Sequence, residues 1–283
     1  MSASTPFPNV AVLGTGLIGG SFALALRVAH PAASVVGWDR PAALAAAREK
    51  VITHAAATLA EAVAAADLVY IALPVGAALG LLPEIARHSR PDALVTDACS
   101  TKAAICKAAA DHFLGARFLG GHPLAGREAG GIEHADANLF RGTKYALIGR
   151  PAPETTAFED LLRAIGAEPV WLDADTHDWA AGIVSHLPQI ASVALAGVVR
   201  DETDETGLPL SLASSGLRDA LRLAGSPYAM WRDVCLTNRE NLVRSLDRLI
   251  QALEHLRGTL ADRELEQQFQ AANEVYKSLR DLK

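Results

Sequence analysis

The sequence predicts an N-terminal α/β domain over residues 1–173 and an all-α domain over residues 174–283. In the first part, short apolar runs alternate with helical segments, and the runs themselves hardly alternate between polar and apolar residues. In the second part, helical periodicity continues and no good strand appears. Strands that alternate with helices indicate a mostly parallel, doubly wound sheet, and uniformly apolar strands indicate that helices cover both of its faces.

Six short apolar runs are the candidate strands of this sheet. Ala-rich stretches such as residues 41–50 and 59–65 separate them and suit helices, because alanine has the highest helix propensity. The six runs are residues 10–13, 35–38, 68–73, 94–96, 144–148 and 169–172.

The all-α domain is predicted from three long segments with helical periodicity, residues 179–200, 238–257 and 263–282. An apolar stripe follows one face of the second segment, formed by Leu242, Leu246, Leu249, Ile250 and Leu253. A small helical domain with long stripes often buries them against a second copy, so we expect a homodimer through this domain.

Composition and charge exclude several classes of protein. The 283 residues carry a net charge of −6 and no basic block, which argues against nucleic acid as a partner. Residues 1–8 lack the features of a secretory signal, and Pro74 and Gly76 interrupt the apolar stretch 68–83, which therefore does not suit a membrane span. The three cysteines lack metal-ligand spacing, so we expect reduced thiols, a cytoplasmic location and no metal site.

A glycine motif follows the first candidate strand and opens the first helix. Gly14, Gly16 and Gly19 have the G-x-G-x-x-G spacing of a Rossmann-like dinucleotide-binding site. The first glycine permits a tight turn, the second lets the backbone approach a pyrophosphate, and the third allows the helix to pack closely on the strand. Leu17 and Ile18 belong to the helix N-terminus, whose N–H groups face the phosphates in such sites. A glycine turn without a ligand is the alternative.

Asp39 ends the second strand, where a carboxylate can accept hydrogen bonds from the adenosine ribose. A carboxylate there repels a 2′-phosphate and favours NAD, whereas the neighbouring Arg40 can soften that preference and leaves NADP open. Leu73 and Pro74, at the end of the third strand, complete the predicted cofactor-binding residues.

Four further segments carry residues suited to chemistry. Residues 97–105 and 120–131 follow or adjoin the carboxyl ends of strands, where ligands bind in such sheets, and we expect the second of these segments to be a loop. Residues 184–195 and 214–234 lie in the all-α domain. The four contain D-x-x-S-x-K, G-x-H-P-x-A-G, S-H-L-P, and G-x-R-D-x-x-R followed by M-W-R-D.

Together with the glycine motif, these patterns resemble the prephenate/arogenate dehydrogenase family, and the resemblance runs from Val10 to about Leu249. It implies NAD(P)-dependent oxidative decarboxylation of prephenate to 4-hydroxyphenylpyruvate, of arogenate to tyrosine, or of both, in tyrosine biosynthesis. Tyrosine is then a candidate feedback inhibitor. The known alternatives are a two-domain dehydrogenase of the β-hydroxyacid type and a non-catalytic NAD-sensing module.

The resemblance also implies roles for individual residues. His122 matches the catalytic histidine that engages the ring hydroxyl, and Ser100 matches the serine that hydrogen-bonds that histidine or the substrate. Arg222 matches the arginine that binds a substrate carboxylate, which its planar fork suits. The matching residues that support or line the substrate site are Asp219, Trp231, Ser185 and His186.

Two positions depart from the family pattern. Gln189 replaces a second histidine of the S-H-L-P segment, and its amide can serve either the keto group of prephenate or the ammonium group of arogenate. Arg127 stands where a small hydroxyl residue is common and can face the substrate or a cofactor phosphate, or simply be an exposed loop arginine. The choice of substrate therefore stays open.

Structural roles compete with the functional ones at several positions. His186 can be a structural residue that orients its neighbours at the site, and Trp231 can be packed in the core. Arg222 can pair with Asp219, which lies one helical turn away. The remaining histidines are expected to be surface or packing residues, among them His30, His54, His177 and His255.

Overall fold

A computed structural model describes residues 6–127, 130–203 and 205–281 of the chain. Its eight strands are β1 (Asn9–Leu13), β2 (Ser34–Trp38), β3 (His54–Ala55), β4 (Leu68–Ile71), β5 (Leu94–Asp97), β6 (Phe118–Pro123), β7 (Lys144–Ile148) and β8 (Glu168–Leu172). They form one sheet in the order β3-β2-β1-β4-β5-β6-β7-β8. All neighbours run parallel except β6 and β7, which are antiparallel.

Helices connect the strands and then form the C-terminal part. Those between the strands are α1 (Leu17–Ala29), α2 (Pro41–Lys50), α3 (Leu59–Val63), α4 (Val75–His88), α5 (Ala103–Ala110) and α6 (Pro153–Ala164). After β8 come α7 (Ala174–Ala181), α8 (Leu187–Asp201), α9 (Leu208–Ser211), α10 (Ser215–Leu221), α11 (Tyr228–Thr237), α12 (Arg239–Gly258) and α13 (Glu264–Asp281). A π-helical turn, Gly182–His186, joins α7 to α8, and a 3-10 turn, Arg222–Gly225, follows α10.

The predicted fold class is confirmed, and helices cover both faces of the sheet. Helices α1 and α6 pack on one face, where the rings of Phe22 and Tyr70 stack with centroids 3.8 Å apart. Helices α3, α4 and α5 pack on the other face, around side chains such as Ile71 and Leu82. This two-sided burial explains why the strands of the sequence are apolar throughout.

The six predicted strands are present, but strands β3 and β6 were not predicted. The expectation of a loop was wrong for Phe118–Pro123, which is a strand between β5 and β7. Its two glycines and its proline have low strand propensity, and the glycines are needed for packing. A Cβ at Gly121 would lie 2.4 Å from the carbonyl oxygen of Asp97 on β5, so only glycine fits there.

Hydrogen bonds hold the helical domain against the carboxyl edge of the sheet. The N–H of Gly76, at the start of α4, donates to Oδ2 of Asp233 on α11 at 2.9 Å. The hydroxyl groups of Thr101 and Thr237 lie 2.7 Å apart across the same boundary. The two parts of the chain therefore meet where ligands bind in α/β sheets.

The helical domain leaves much apolar surface exposed. Its first helical run, Ala174–Asp201, is long and apolar enough to cross a membrane by length and composition, and only 22% of its most apolar stretch is buried. Exposed apolar side chains continue on the later helices, including Leu236, Ile250, Leu253 and Phe269. Surface of this kind marks a region that packs against another molecule.

Candidate active site

A cavity of about 450 Å³ lies at the carboxyl ends of β5 and β6, beneath the helical domain. The sheet side contributes Ser100, after β5, and His122, on β6. The helical side contributes Ser185 and His186 from the π-helical turn and Trp231 from α11. Most other lining residues are apolar, among them Leu124, Ala146, Leu172, Ala181, Val184, Met230 and Val234. Five residues that the sequence motifs singled out are thus brought together around one space.

Arg222 and Asp219 are not among the residues that line this cavity. Asp219 is exposed on α10, and Arg222 is exposed at the start of the following 3-10 turn. That turn packs against α8, where the hydroxyl of Ser192 donates to the carbonyl oxygen of Ala220 at 2.8 Å. The carboxylate-binding role of Arg222 stays a prediction, because a single copy of the chain does not bring its side chain to the cavity wall.

Gln189 and Arg127 also lie outside the cavity lining, and both side chains bind elsewhere in the protein. Nε2 of Gln189 donates to the carbonyl oxygen of Leu223 at 2.8 Å, which ties α8 to the 3-10 turn. Arg127 forms an ion pair with Asp136 at 2.6 Å on the surface. Direct substrate contact by these two side chains is therefore not supported within one chain.

The imidazole of His122 is linked to a second histidine from the helical domain. Nδ1 of His122 lies 2.9 Å from Nε2 of His177 on α7. Nδ1 of His177 lies 2.8 Å from Oδ1 of Asp178. The side chains of His177 and Asp178 are only 3% and 2% exposed, so His177 is buried, as a packing residue would be, and not on the surface. The prediction did not include its contact with His122.

The carboxylate of Asp178 is bound to the start of α5. Its Oδ1 accepts a hydrogen bond from the N–H of Lys102 at 2.7 Å, and its Oδ2 accepts one from the N–H of Ala103 at 2.9 Å. These N–H groups are unsatisfied within a helix and carry its positive dipole end, so they favour an ionised carboxylate.

A buried ion pair lies behind the cavity. The ammonium group of Lys102 contacts Asp97 at the end of β5, and both side chains are fully buried. The same ammonium group donates to the carbonyl oxygen of Gly121 on β6 at 2.6 Å, and the N–H of Gly121 donates to Asp97 at 3.1 Å. Asp97 accepts a further hydrogen bond from the N–H of Cys99 at 2.9 Å. The pair therefore fixes the ends of the strands that carry Ser100 and His122.

Burial lowers the pKa of His122 well below its usual value of 6.5. The neighbouring His177, Lys102 and His186 lower this pKa further, because each would repel a second positive charge. The imidazole of His122 is therefore neutral at pH 7 and can accept a proton.

His186 is a second neutral imidazole at the cavity. Burial lowers its pKa from 6.5 to about 4. The side-chain amide of Asn238 lies 3.0 Å from Nδ1 of His186 and also bonds the carbonyl oxygen of Asp178 at 2.7 Å. An amide nitrogen only donates, so Nδ1 of His186 accepts and its proton lies on Nε2. The ring also meets the edge of Trp231, with centroids 5.8 Å apart.

The glycine motif forms the turn that the sequence predicts. The N–H of Gly14 donates to the carbonyl oxygen of Trp38 at 2.9 Å, and Gly14 has a φ of +92°, which favours glycine. A Cβ at Gly19 would lie 1.9 Å from the carbonyl oxygen of Gly14, so the helix can approach the strand only without a side chain. A Cβ at Gly16 would instead project into open space.

The turn fits a dinucleotide phosphate. Gly16 is the residue before α1 and no side chain caps that helix, so the first-turn N–H groups of Leu17 and Ile18 are not used by a capping side chain and suit a phosphate. Asp39 lies beside the turn, where its Oδ2 accepts a hydrogen bond from the N–H of Thr15 at 2.7 Å. The other predicted cofactor-binding residues lie near it at strand ends: Arg40 is exposed after β2, and Leu73 and Pro74 lie between β4 and α4.

Sequence reasoning missed three residues that form hydrogen bonds behind or beside the two cavity histidines: His177, which also lines the cavity, Asp178 and Asn238. The only local signal is a histidine next to an aspartate on one helix, which is common on protein surfaces. Their burial at 3%, 1% and 3% exposure becomes visible only once α7 and α11 are docked on the sheet.

Comparisons with known proteins agree with this geometry. Residues 22–169 match the family model of the prephenate dehydrogenase nucleotide-binding domain, and residues 173–274 match that of the prephenate dehydrogenase dimerization domain. A prephenate dehydrogenase of Lactococcus lactis is 32% identical over 251 residues, which cover 88% of this chain and 70% of that protein.

Two solved structures extend the similarity to the whole fold. The prephenate dehydrogenase of Aquifex aeolicus, in complex with hydroxyphenyl propionate and NAD+, superposes with a TM-score of 0.90 at 26% identity and covers 96% of this chain and 98% of its own. An arogenate dehydrogenase of Synechocystis superposes with a TM-score of 0.81 at 31% identity. The superposition covers 96% of this chain and 99% of that protein's chain. With both family models matched in order along the sequence, the chain belongs to the prephenate dehydrogenase family.

Proposed function

We propose that the protein oxidises and decarboxylates prephenate, arogenate or both, with NAD as the hydride acceptor, in the biosynthesis of tyrosine. The observation that carries this proposal is the neutral imidazole of His122 in a cavity between the sheet edge and the helical domain. The similar proteins are named for both substrates, so both belong to the proposal. The glycine turn and Asp39 support NAD, and Arg40 keeps NADP as a second candidate.

The chemistry requires one base at one position. Both substrates carry a hydroxyl group on the ring carbon opposite the ring carboxylate. NAD held by the glycine turn and Asp39 would supply the acceptor for the hydride of that carbon. His122 takes the hydroxyl proton as the hydride leaves, which oxidises the carbon. The bond to the carboxylate then breaks, carbon dioxide leaves, and the electron pair of that bond makes the ring aromatic. The former hydroxyl oxygen takes a proton back and becomes the phenol oxygen.

Other lining residues offer hydrogen bonds to the substrate. Ser100 and Ser185 present hydroxyl groups at the cavity wall. Nε1 of Trp231 is buried and has no hydrogen-bond partner among the described residues, so a substrate oxygen can accept its N–H. The mostly apolar wall excludes water from the ring, which suits a reaction in which a charged carboxylate becomes neutral carbon dioxide.

The proposal is tested by initial rates with prephenate and arogenate, each crossed with NAD and NADP. We expect NADH formation with at least one substrate and a lower rate with NADP. Binding of NAD without turnover of either substrate would support the NAD-sensing module instead. Turnover of a simple β-hydroxyacid alone would support the other class of two-domain dehydrogenase.

His122→Asn tests the base directly. We expect kcat to fall by a factor on the order of 10²–10⁴ with little change in KM, because the proton transfer matters in the transition state. His112→Asn is the matched control, since His112 is exposed after α5 and away from the cavity. An unchanged kcat in His122→Asn would remove His122 from the mechanism.

We also propose that two copies form a homodimer through the helical domain. Support comes from the exposed apolar side chains of the run Ala174–Asp201 and from the match of residues 173–274 to a dimerization domain. Light scattering at micromolar concentration should give the mass of a dimer. Val198→Glu, on the exposed face of α8, should weaken that dimer, and a monomeric wild type would contradict the proposal.

Tyrosine is the product expected from arogenate and resembles the product expected from prephenate. We therefore propose that it binds the same cavity and acts as a feedback inhibitor. Initial rates with added tyrosine test this, and rates that do not change up to millimolar tyrosine would contradict it. The cytoplasmic location expected from the free thiols of Cys99, Cys106 and Cys235 stays a prediction.

A further inference from the structure

We propose that His177 and Asp178 are positioning residues that fix the tautomer of His122, so that the lone pair of Nε2 on His122 faces the cavity. The three side chains form a chain of hydrogen bonds from the cavity to the start of α5. The tautomer follows from the hydrogen bonds alone. Only the role of His122 as the base for the substrate hydroxyl rests on the proposed function.

The carboxylate of Asp178 is the inner end of this chain of hydrogen bonds. It accepts hydrogen bonds from the N–H groups of Lys102 at 2.7 Å and Ala103 at 2.9 Å, and the side chain is 2% exposed. Two backbone donors and a helix N-terminus hold it in the ionised form, which can only accept hydrogen bonds. The nitrogen that faces it at 2.8 Å, Nδ1 of His177, must therefore carry a proton.

The proton on Nδ1 determines what His177 offers to His122. In a neutral imidazole one nitrogen donates and the other accepts, so Nε2 of His177 accepts. Its partner at 2.9 Å is Nδ1 of His122, which must then be the donor. The lone pair of His122 is consequently on Nε2, the ring nitrogen left for the substrate hydroxyl.

The same chain stabilises the charge that the reaction creates. When Nε2 of His122 takes the proton, the imidazolium can pass the proton on its Nδ1 to His177 over 2.9 Å. The positive charge then faces the carboxylate of Asp178 at 2.8 Å. This matters because the other charged or titratable groups near His122, Lys102 and His186, disfavour a cation there.

His122 lies on the sheet, whereas His177 and Asp178 lie on α7 of the helical domain. The base therefore has its working tautomer only when the two domains are docked. This arrangement assigns to the helical domain a role in the proton transfer in addition to forming one wall of the cavity.

Asp178→Asn is the sharpest test. With its amide nitrogen in place of Oδ1, the asparagine donates to Nδ1 of His177 while its oxygen still accepts from the N–H of Ala103, which leaves the N–H of Lys102 without its acceptor. This orientation reverses both histidine tautomers and places the proton of His122 on Nε2. We expect kcat to fall by about 10²–10⁴-fold with unchanged KM and NAD affinity. Asp175→Asn, the same change at an exposed position of α7, is the control and should leave kcat unchanged.

The tautomer of His122 can be measured by NMR spectroscopy in the absence of substrate. In protein labelled with ¹⁵N-histidine, the His122 signals are assigned by their loss in His122→Asn. We expect Nδ1 of His122 to be protonated in the wild type and Nε2 to be protonated in Asp178→Asn. Protonation of Nε2 rather than Nδ1 of His122 in the wild type would overturn the inference, whatever the kcat of Asp178→Asn.

A second pair of variants covers the case in which Asp178→Asn does not fold. His177→Gln keeps an acceptor oxygen for Nδ1 of His122, whereas His177→Leu keeps none. We expect the glutamine variant to retain at least about tenfold more kcat than the leucine variant. Equal kcat in the two would overturn the inference. If the tautomers were as expected but the wild type turned over neither prephenate nor arogenate, the proposed function would be rejected and the inference about the tautomer would stand.

Discussion

Replacing Lys102 with methionine removes the ammonium group from the buried ion pair and leaves a side chain of similar length. Both side chains of the pair are 0% exposed, so the variant leaves the carboxylate of Asp97 without its cation in the interior. Removing one partner of a buried pair costs about 3–5 kcal/mol. Asp97 keeps hydrogen bonds from the N–H groups of Gly121 and Cys99, so we expect the lower end, about 3–4 kcal/mol.

Urea unfolding at pH 7.5, followed by circular dichroism, measures this loss. Lys107→Met is the matched control, because Lys107 is exposed on α5 and should change the free energy of unfolding by less than about 0.5 kcal/mol. Adding Asp97→Asn to Lys102→Met neutralises the stranded carboxylate and should recover part of the lost stability. A single variant as stable as the wild type would refute the reasoning that the pair holds the ends of β5 and β6 together.

Two further predictions concern the cofactor and acid stability. Asp39→Ala should raise the kcat/KM with NADP relative to that with NAD, because the carboxylate no longer repels a 2′-phosphate; an unchanged ratio would assign the ribose contact to another residue. The pKa of His186 is about 4 in the folded protein and about 6.5 when unfolded, so its contribution to stability is present above pH 6.5 and is lost as the pH falls towards 4. We expect the free energy of unfolding to fall by up to about 3 kcal/mol over that range, and to fall by less in His186→Gln. Urea unfolding at several pH values measures both proteins, and equal pH profiles would contradict the prediction.

The sequence predicted those parts of the fold and site that depend on local pattern. The glycine spacing, followed by Asp39, predicted the turn at the start of α1, because each glycine is required by a contact within that unit. The apolar runs predicted the parallel strands, because a sheet covered on both faces needs uniformly apolar strands. The segments of Ser100 and His122 were predicted to lie where ligands bind because they follow or adjoin the carboxyl ends of strands, and the family resemblance implied that the two residues act together.

The rest depends on contacts between distant segments. Strand β6 is weak by propensity and is formed because β5 and β7 pair with it on both sides. The roles of His177 and Asp178 depend on how α7 docks on α5, and a sequence pattern on one helix does not predict docking. Gln189 was expected at the substrate because the family resemblance places that position near the substrate side chain, yet its amide binds the backbone at Leu223.

Lys102 contributes to stability through its side chain and to the hydrogen-bond chain through its backbone, and the variant Lys102→Met can separate the two contributions. Its side chain pairs with Asp97, whereas its backbone N–H binds Asp178 and belongs to the hydrogen-bond chain that ends at His122. Methionine removes the contacts of the ammonium group with Asp97 and Gly121 but keeps the backbone N–H, so the tautomer of His122 should persist in Lys102→Met. The ammonium group also lowers the pKa of His122, so its loss should raise that pKa and shift the acid limb of kcat/KM to higher pH. If the fall in activity at acid pH did not move, Lys102 would act on stability alone, and burial rather than the ammonium charge would set the low pKa of His122.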